Sequence, residues 1–190
     1  MSKILEFFKA LFSFFSKKEV SLPPKGEPLV IIEEPKDPSN IDAISADNPH
    51  PWFDLAEMYL GTKELLPDGK TVNPLITFFF TFTSYKTQKN EPWCAAFVSC
   101  MLRRTGYKDT NSAKAFSYNK YGKASDLRKG AGIVIEHPDL NHHVTFFSHW
   151  SDQKKGLAMC LGGNQSNMVK YTQYNFNVDK PIRVFWPIKL

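Results

Sequence analysis

Cys94 heads a small, apolar run in NEPWCAAFVSC, directly after Pro92-Trp93. A cysteine becomes a nucleophile as its thiolate, and it needs an imidazole nearby to take the proton. The run reads as a helix, and the unpaired amides of a helix start favour an anion. On that local argument the Cys94 pKa should fall. Cys100 lies six residues on, roughly 120° round the same helix, and reads as a core residue. Cys160 sits in an apolar run and reads the same way. Three cysteines are an odd number, which argues against a disulfide scaffold and for reduced thiols.

Five histidines are candidates for the base. His50 is in the linker, and His137 precedes Pro138 in a turn. His142 and His143 open the run HHVTFFSHW, and His149 lies near its end. A base at the start of a strand can face the end of a packed helix, so His143, His142 and His149 all stay in play. A third group is supplied by LGGNQSN. Two glycines allow a sharp turn or a close approach, and the Asn164 side chain can fix an imidazole tautomer. The same Asn164 also suits an ordinary turn. Cysteine, then histidine, then a polar orienter is the chain order of papain-type sites.

Elements that would hold these residues follow from the patterning. In PWFDLAEMYLG the residues Trp52, Leu55, Ala56, Tyr59 and Leu60 share a helical face, and Gly61 stops it. NPLITFFFTFTSY opens like a helix at Asn73-Pro74, although its β-branched and aromatic content also fits a strand. PWCAAFVSCMLRRTG is a helix with Pro92 in its first turn. Its apolar stripe is Phe97, Val98, Met101 and Leu102, with Arg103 and Arg104 at the C-terminal end and Gly106 as the stop. SAKAFSYNKYG reads as a short helix. GIVIEH, HVTFFSHW, LAMCLGG, MVKYTQY and IRVFWP then read as antiparallel strands. Helices first and strands after give an α+β domain over residues 51–190.

Residues 1–18, MSKILEFFKALFSFFSKK, place Ile4, Leu5, Phe7, Phe8, Leu11, Phe12 and Phe15 at helical spacing. The run is too short and too interrupted to span a bilayer, and it lacks a small-residue cleavage site. An amphipathic helix on a membrane surface is the preferred reading, with docking on this domain or a partner as the alternative. Residues 19–50 are rich in proline and acids and read as a linker. Residues 52–190 carry eighteen Lys/Arg against eleven acids, about +7. That charge attracts anionic partners of any kind. No RNP-like or Cys/His zinc pattern accompanies it, so neither nucleic acid nor a metal is expected.

Taken in order, EPWCAAFV, HHVTFF, LGGNQSN and RVFWP resemble the CHAP/NlpC-type cysteine amidase superfamily. They are most similar to its phage-associated branch, with the pattern PWCAAFV…GHVGF…LGGNQS…YRWP. WFDLAEMYLGTKEL and NPLI also resemble the start of that branch's domain, and the similarity spans about residues 51–188. The resemblance implies a papain-like fold, with N-terminal helices packed on an antiparallel sheet. It further implies cleavage of peptidoglycan amide bonds without a metal or cofactor. Matched position by position, Cys94 is the nucleophile, His143 the base and Asn164 the orienting residue, with Gln165 beside it in the site. His142 stands where the family has Gly, and Gly130-Ala131-Gly132 stands where it has Pro-Gly-Asp.

The remaining expectations concern the groove and the setting. Gln88, upstream of the nucleophile, is the candidate oxyanion donor, with Asn90 as its rival. Trp93 either walls the substrate groove or packs the helix start, and packing is preferred. A phage endolysin is the preferred setting. It would be made in the bacterial cytoplasm without a cleavable signal and would act on the periplasmic wall, with residues 1–18 at the membrane. An antibacterial effector paired with an immunity protein fits the same residues. So do a non-catalytic wall- or membrane-binding module and a cysteine enzyme acting on another amide.

Overall fold

The structure, a computed structural model, describes residues 47–85 and 91–190. The expected amphipathic helix of residues 1–18 and the linker up to residue 46 lie outside the described residues, as do Gln88 and Asn90. The chain divides into Met1–Asn40 and Ile41–Leu190, and the second unit holds every residue described below.

Three α-helices come first: α1 (Pro51–Glu57), α2 (Pro74–Phe80) and α3 (Cys94–Arg104). Six strands follow: β1 (Lys123–Ala124), β2 (Gly132–Glu136), β3 (His142–Asp152), β4 (Leu157–Gly162), β5 (Lys170–Asn175) and β6 (Lys180–Trp186). They form one antiparallel sheet in the order β1-β6-β2-β3-β4-β5. The expected α+β class holds, and the five expected strand runs are all present.

The ambiguous segment at Asn73 is a helix. The Asn73 side chain accepts a hydrogen bond from the Leu75 amide at 3.0 Å, and Pro74 takes the first helical position. The expected short helix is a 3₁₀ helix, Ala115–Lys120. Pro92 is not in the first turn of α3, because Trp93 is the N-cap and the helix begins at Cys94 itself. Helix α1 is shorter than its apolar spacing suggests. Tyr59 is buried in the turn beyond it, while Leu60 is exposed.

Helix α3 is central rather than amphipathic. Every residue from Cys94 to Leu102 is buried, including Ser99, whose hydroxyl meets the Tyr118 hydroxyl at 2.8 Å. Tyr118 in turn stacks on Phe185 of β6. An aromatic cluster of Tyr59, Phe79, Trp93 and Phe97 ties α2 to the start of α3, with centroids 5.2–6.5 Å apart. Each fully buried aromatic of this kind is worth about 1.5–3 kcal/mol of hydrophobic stabilisation, so the helix start is firmly placed. Trp52 anchors α1, its indole N–H donating to the Gly130 carbonyl at 2.7 Å. A second apolar cluster includes Ile133, Ile135, Phe147, Ala158, Cys160 and Tyr174. The β2–β6 pairing shifts register between Val134 and Ile135, where Pro181 faces Ile135 and has no amide to donate.

Candidate functional site

The helix start delivers Cys94 against β3. The amides that hydrogen-bond its thiol belong to Val144, Ala95 and Cys94 itself. Two of them are the unpaired donors of the first helical turn and the third comes from the strand. These amides lower the thiol pKa, but Cys94 is only 2% exposed, and burial pushes the thiol up by more. The local expectation of a depressed pKa is therefore reversed, because loss of water outweighs the helix-start amides. Cys100 and Cys160 are also free and buried, with thiols pushed up by burial. Neither forms a disulfide, as the odd count suggested.

His143 lies one residue before the amide that meets Cys94. It is buried, and burial, with help from the nearby His137, pulls its pKa down to about 4. The Gln165 side chain acts in the opposite direction, favouring the charged imidazole. Thiol and imidazole are thus both held neutral, and no hydrogen bond joins Cys94 to His143. The His143 ring lies 6.0 Å from that of Tyr174. Behind the ring, His137 Nδ1 meets Asp179 Oδ1 at 2.8 Å.

Gln165, rather than Asn164, is the buried residue of this loop beside His143. Its Nε2 donates to the Cys160 carbonyl at 3.4 Å and to the Lys170 carbonyl. Both amide hydrogens are therefore used, and Oε1 must face the other way. Oε1 accepts from the Tyr174 hydroxyl at 3.1 Å and lies 3.2 Å from Thr145 Oγ1. The single Thr145 hydrogen is directed to the Leu161 carbonyl at 2.8 Å. Gln165 Oε1 thus keeps acceptor capacity for an imidazole N–H. Asn164 sits one residue earlier at φ 58°, half-buried, with no side-chain hydrogen bond among the described residues. Ser166 and Asn167 are also left-handed, at φ 52° and 58°. This loop turns so sharply that the inward side chain is Gln165.

The two glycines before it are required by close approach. A Cβ on Gly162 would stand 2.6 Å from Thr145 Oγ1, and one on Gly163 would stand 2.5 Å from the Trp93 ring. Trp93 is fully buried, and its indole nitrogen donates to Glu64 Oε2 at 3.4 Å. It packs the helix start and does not wall a groove, so its candidacy as a substrate contact is withdrawn.

His142 points elsewhere, as strand alternation requires. It lines a cleft of about 420 Å³ that also contains Cys94, with its ring 4.6 Å from Phe116 and its Nε2 3.5 Å from Glu136 Oε2. The candidates thus divide into a buried group and a group in the cleft wall. The buried group is Cys94, His143 and Gln165, with Thr145 and Tyr174 added by the structure. His142 is in the cleft wall. Thr145 has a signal in the sequence, two residues after His143 on the same strand face. Tyr174 had none, since only the β4–β5 pairing brings it there. His149 is further along β3, bonded to its neighbour Ser148 at 3.0 Å. Among the described residues no cluster of His, Cys, Asp or Glu could hold a metal. Nor is any described helix long and apolar enough to cross a membrane.

Set against known protein families, characterised proteins and solved structures, the chain matches none.

Proposed function

We propose that this chain is a papain-like cysteine amidase or endopeptidase that cleaves peptidoglycan amide bonds, with Cys94 as nucleophile and His143 as base. The observation that carries the reading is the locked Gln165. Its two spent amide hydrogens force Oε1 to be an acceptor toward His143. An acceptor there fixes the proton on the near ring nitrogen and leaves the far one free to take another. The motif resemblance supplies the substrate class.

In the reaction, the free nitrogen of His143 removes the Sγ proton as the sulfur attacks the carbonyl carbon of a stem-peptide amide. The C–N bond then breaks and His143 passes that proton to the leaving amine. Water hydrolyses the thioester, regenerating the thiol. The Cys94 amide is one donor to the oxyanion. Because both groups rest neutral, proton transfer accompanies attack and no standing ion pair is involved. Asn164 takes no part in this scheme beyond shaping the loop. A phage endolysin is the proposed setting. In an effector, an immunity protein would have to plug the cleft over Cys94. Attachment of residues 1–18 to a membrane surface belongs to the same proposal.

A second reading is favoured by one fact: Cys94 is almost fully buried and its thiol is held protonated. A non-catalytic module of the same fold would look like this. Digestion of purified sacculi by wild type and Cys94→Ala, with products read by mass spectrometry, separates the two. New stem-peptide ends or freed lactyl groups from wild type alone support the enzyme and name the bond. Equal digestion by both proteins, or none by either, refutes it.

A further inference from the structure

The cleft over Cys94 is lined by charges that do not cancel one another. Glu91 lies just before the nucleophile, and its Oε1 accepts from the Tyr85 hydroxyl at 3.2 Å. Among the described residues it forms no ion pair. Lys114 lines the same cleft, and its ammonium also lacks an acidic partner among them. The two are not within ion-pair distance of each other. His142, the other basic side chain in the lining, already faces Glu136 at 3.5 Å and adds little net charge. Phe116, 51% exposed, and Tyr85, 42% exposed, are aromatic surfaces beside these groups.

An unpaired acid and an unpaired base in one concave, largely apolar cleft form a two-point recognition site. A long polyanion does not suit it, because Glu91 would repel the chain that Lys114 attracts. A neutral apolar ligand would draw no attraction from either charge. A small zwitterion satisfies both. The cleft's volume, about 420 Å³, suits a peptide segment of a few residues.

We propose that the Cys94 cleft binds a short peptide segment bearing a free ammonium and a free carboxylate, the ammonium at Glu91 and the carboxylate at Lys114. This rests on the reading of Cys94 as the nucleophile and names the substrate chemistry of the same site. Glu91 and Lys114 are then specificity-determining residues, which touch the substrate away from the scissile bond.

The test uses the full-length Cys94→Ala protein, which cannot turn the ligand over. Calorimetric titration with Nα-acetyl-Ala-Ala-Lys, side-chain amine and C-terminal carboxylate free, is compared with its Nε-acetyl and C-terminal amide derivatives. Each derivative should bind about three- to tenfold more weakly. Adding Glu91→Gln should abolish the penalty for Nε-acetylation alone, and adding Lys114→Gln the penalty for the C-terminal amide alone. Equal binding of all three peptides, or no binding of any up to millimolar concentration, overturns the proposal. So does a penalty that persists in the matching variant. Far-ultraviolet circular dichroism and melting temperature confirm that each variant is folded. Failure of the parent reading appears separately, as unchanged sacculus digestion when Cys94 is removed from the otherwise wild-type chain.

Discussion

Burying His143 in its neutral form ties the stability of this domain to pH with a sign and size that can be worked out. The pKa falls from 6.5 to about 4 on folding, chiefly by desolvation. Between those values the unfolded chain binds the proton and the folded chain does not, so stability rises with pH. The contribution is complete above pH 6.5 and is lost as pH drops toward 4. With a difference of 2.5 units, at about 1.4 kcal/mol per unit, the stability lost is roughly 3 kcal/mol by pH 4 and about 2 kcal/mol by pH 5. Urea denaturation of wild type and His143→Gln at pH 7, 5 and 4 measures it, because the rest of the chain is common to both proteins. Wild type should lose about 3 kcal/mol more than the variant between pH 7 and pH 4. A difference below about 1 kcal/mol would mean that His143 is protonated or hydrated in the fold, and the neutral-pair argument would fail. If His143 is the base, as proposed, the same group sets the acid limb of kcat/KM. On the proposed mechanism activity persists at pH 5 and falls near pH 4, and an acid limb between pH 6 and 7 would assign the base elsewhere.

Four further outcomes follow from the geometry. Gln165→Leu should reduce kcat by about 10²-fold, the scale of a lost orienting partner, whereas Asn164→Gly should leave it within a few-fold because only the left-handed backbone is needed there. The reverse result would return the orienting role to Asn164. His143→Gln should slow iodoacetamide labelling of Cys94 at pH 7 by about 10²-fold, with adducts mapped by mass spectrometry. His142→Gln should change KM more than kcat, and a collapse of kcat would move the base to His142. Gly163→Ala should cost about 1–3 kcal/mol of stability in denaturant titration, because its new methyl group meets the Trp93 ring and the Phe97 Cβ.

What the sequence disclosed and what it concealed divide along one physical line. Periodicity is a local signal, and among the described residues it located the three α-helices and the five longer strands. The exception was β1, whose two residues are too few to carry a pattern. The Asn73-Pro74 start was also legible, since the cap and the proline act within three residues. Quantities set by tertiary packing were not. The Cys94 pKa was argued from its own helix turn, yet burial by elements distant in sequence decides its direction. Helix α3 looked amphipathic because its stripe is clear, but the sheet and two other helices also cover its remaining faces. Likewise LGGNQSN announced a sharp turn, and only the three left-handed residues determine that Gln165, not Asn164, faces inward.

That inward turn also explains why one loop carries so many constraints. Gly162 must be bare so that Thr145 and Gln165 can approach, and Gly163 must be bare so that the loop can rest on Trp93. Trp93 is the residue from which α3 starts, so the contact that places Gln165 also places Cys94. A displacement of the loop would move Gln165 and Cys94, the proposed orienting residue and nucleophile, together. On the proposed mechanism, catalytic geometry depends on a packing contact with no polar chemistry of its own. Trp93→Phe should therefore lower kcat as well as stability, although the ring never touches substrate. Refolded protein with full kcat and only a reduced melting temperature would show that the two positions are set independently.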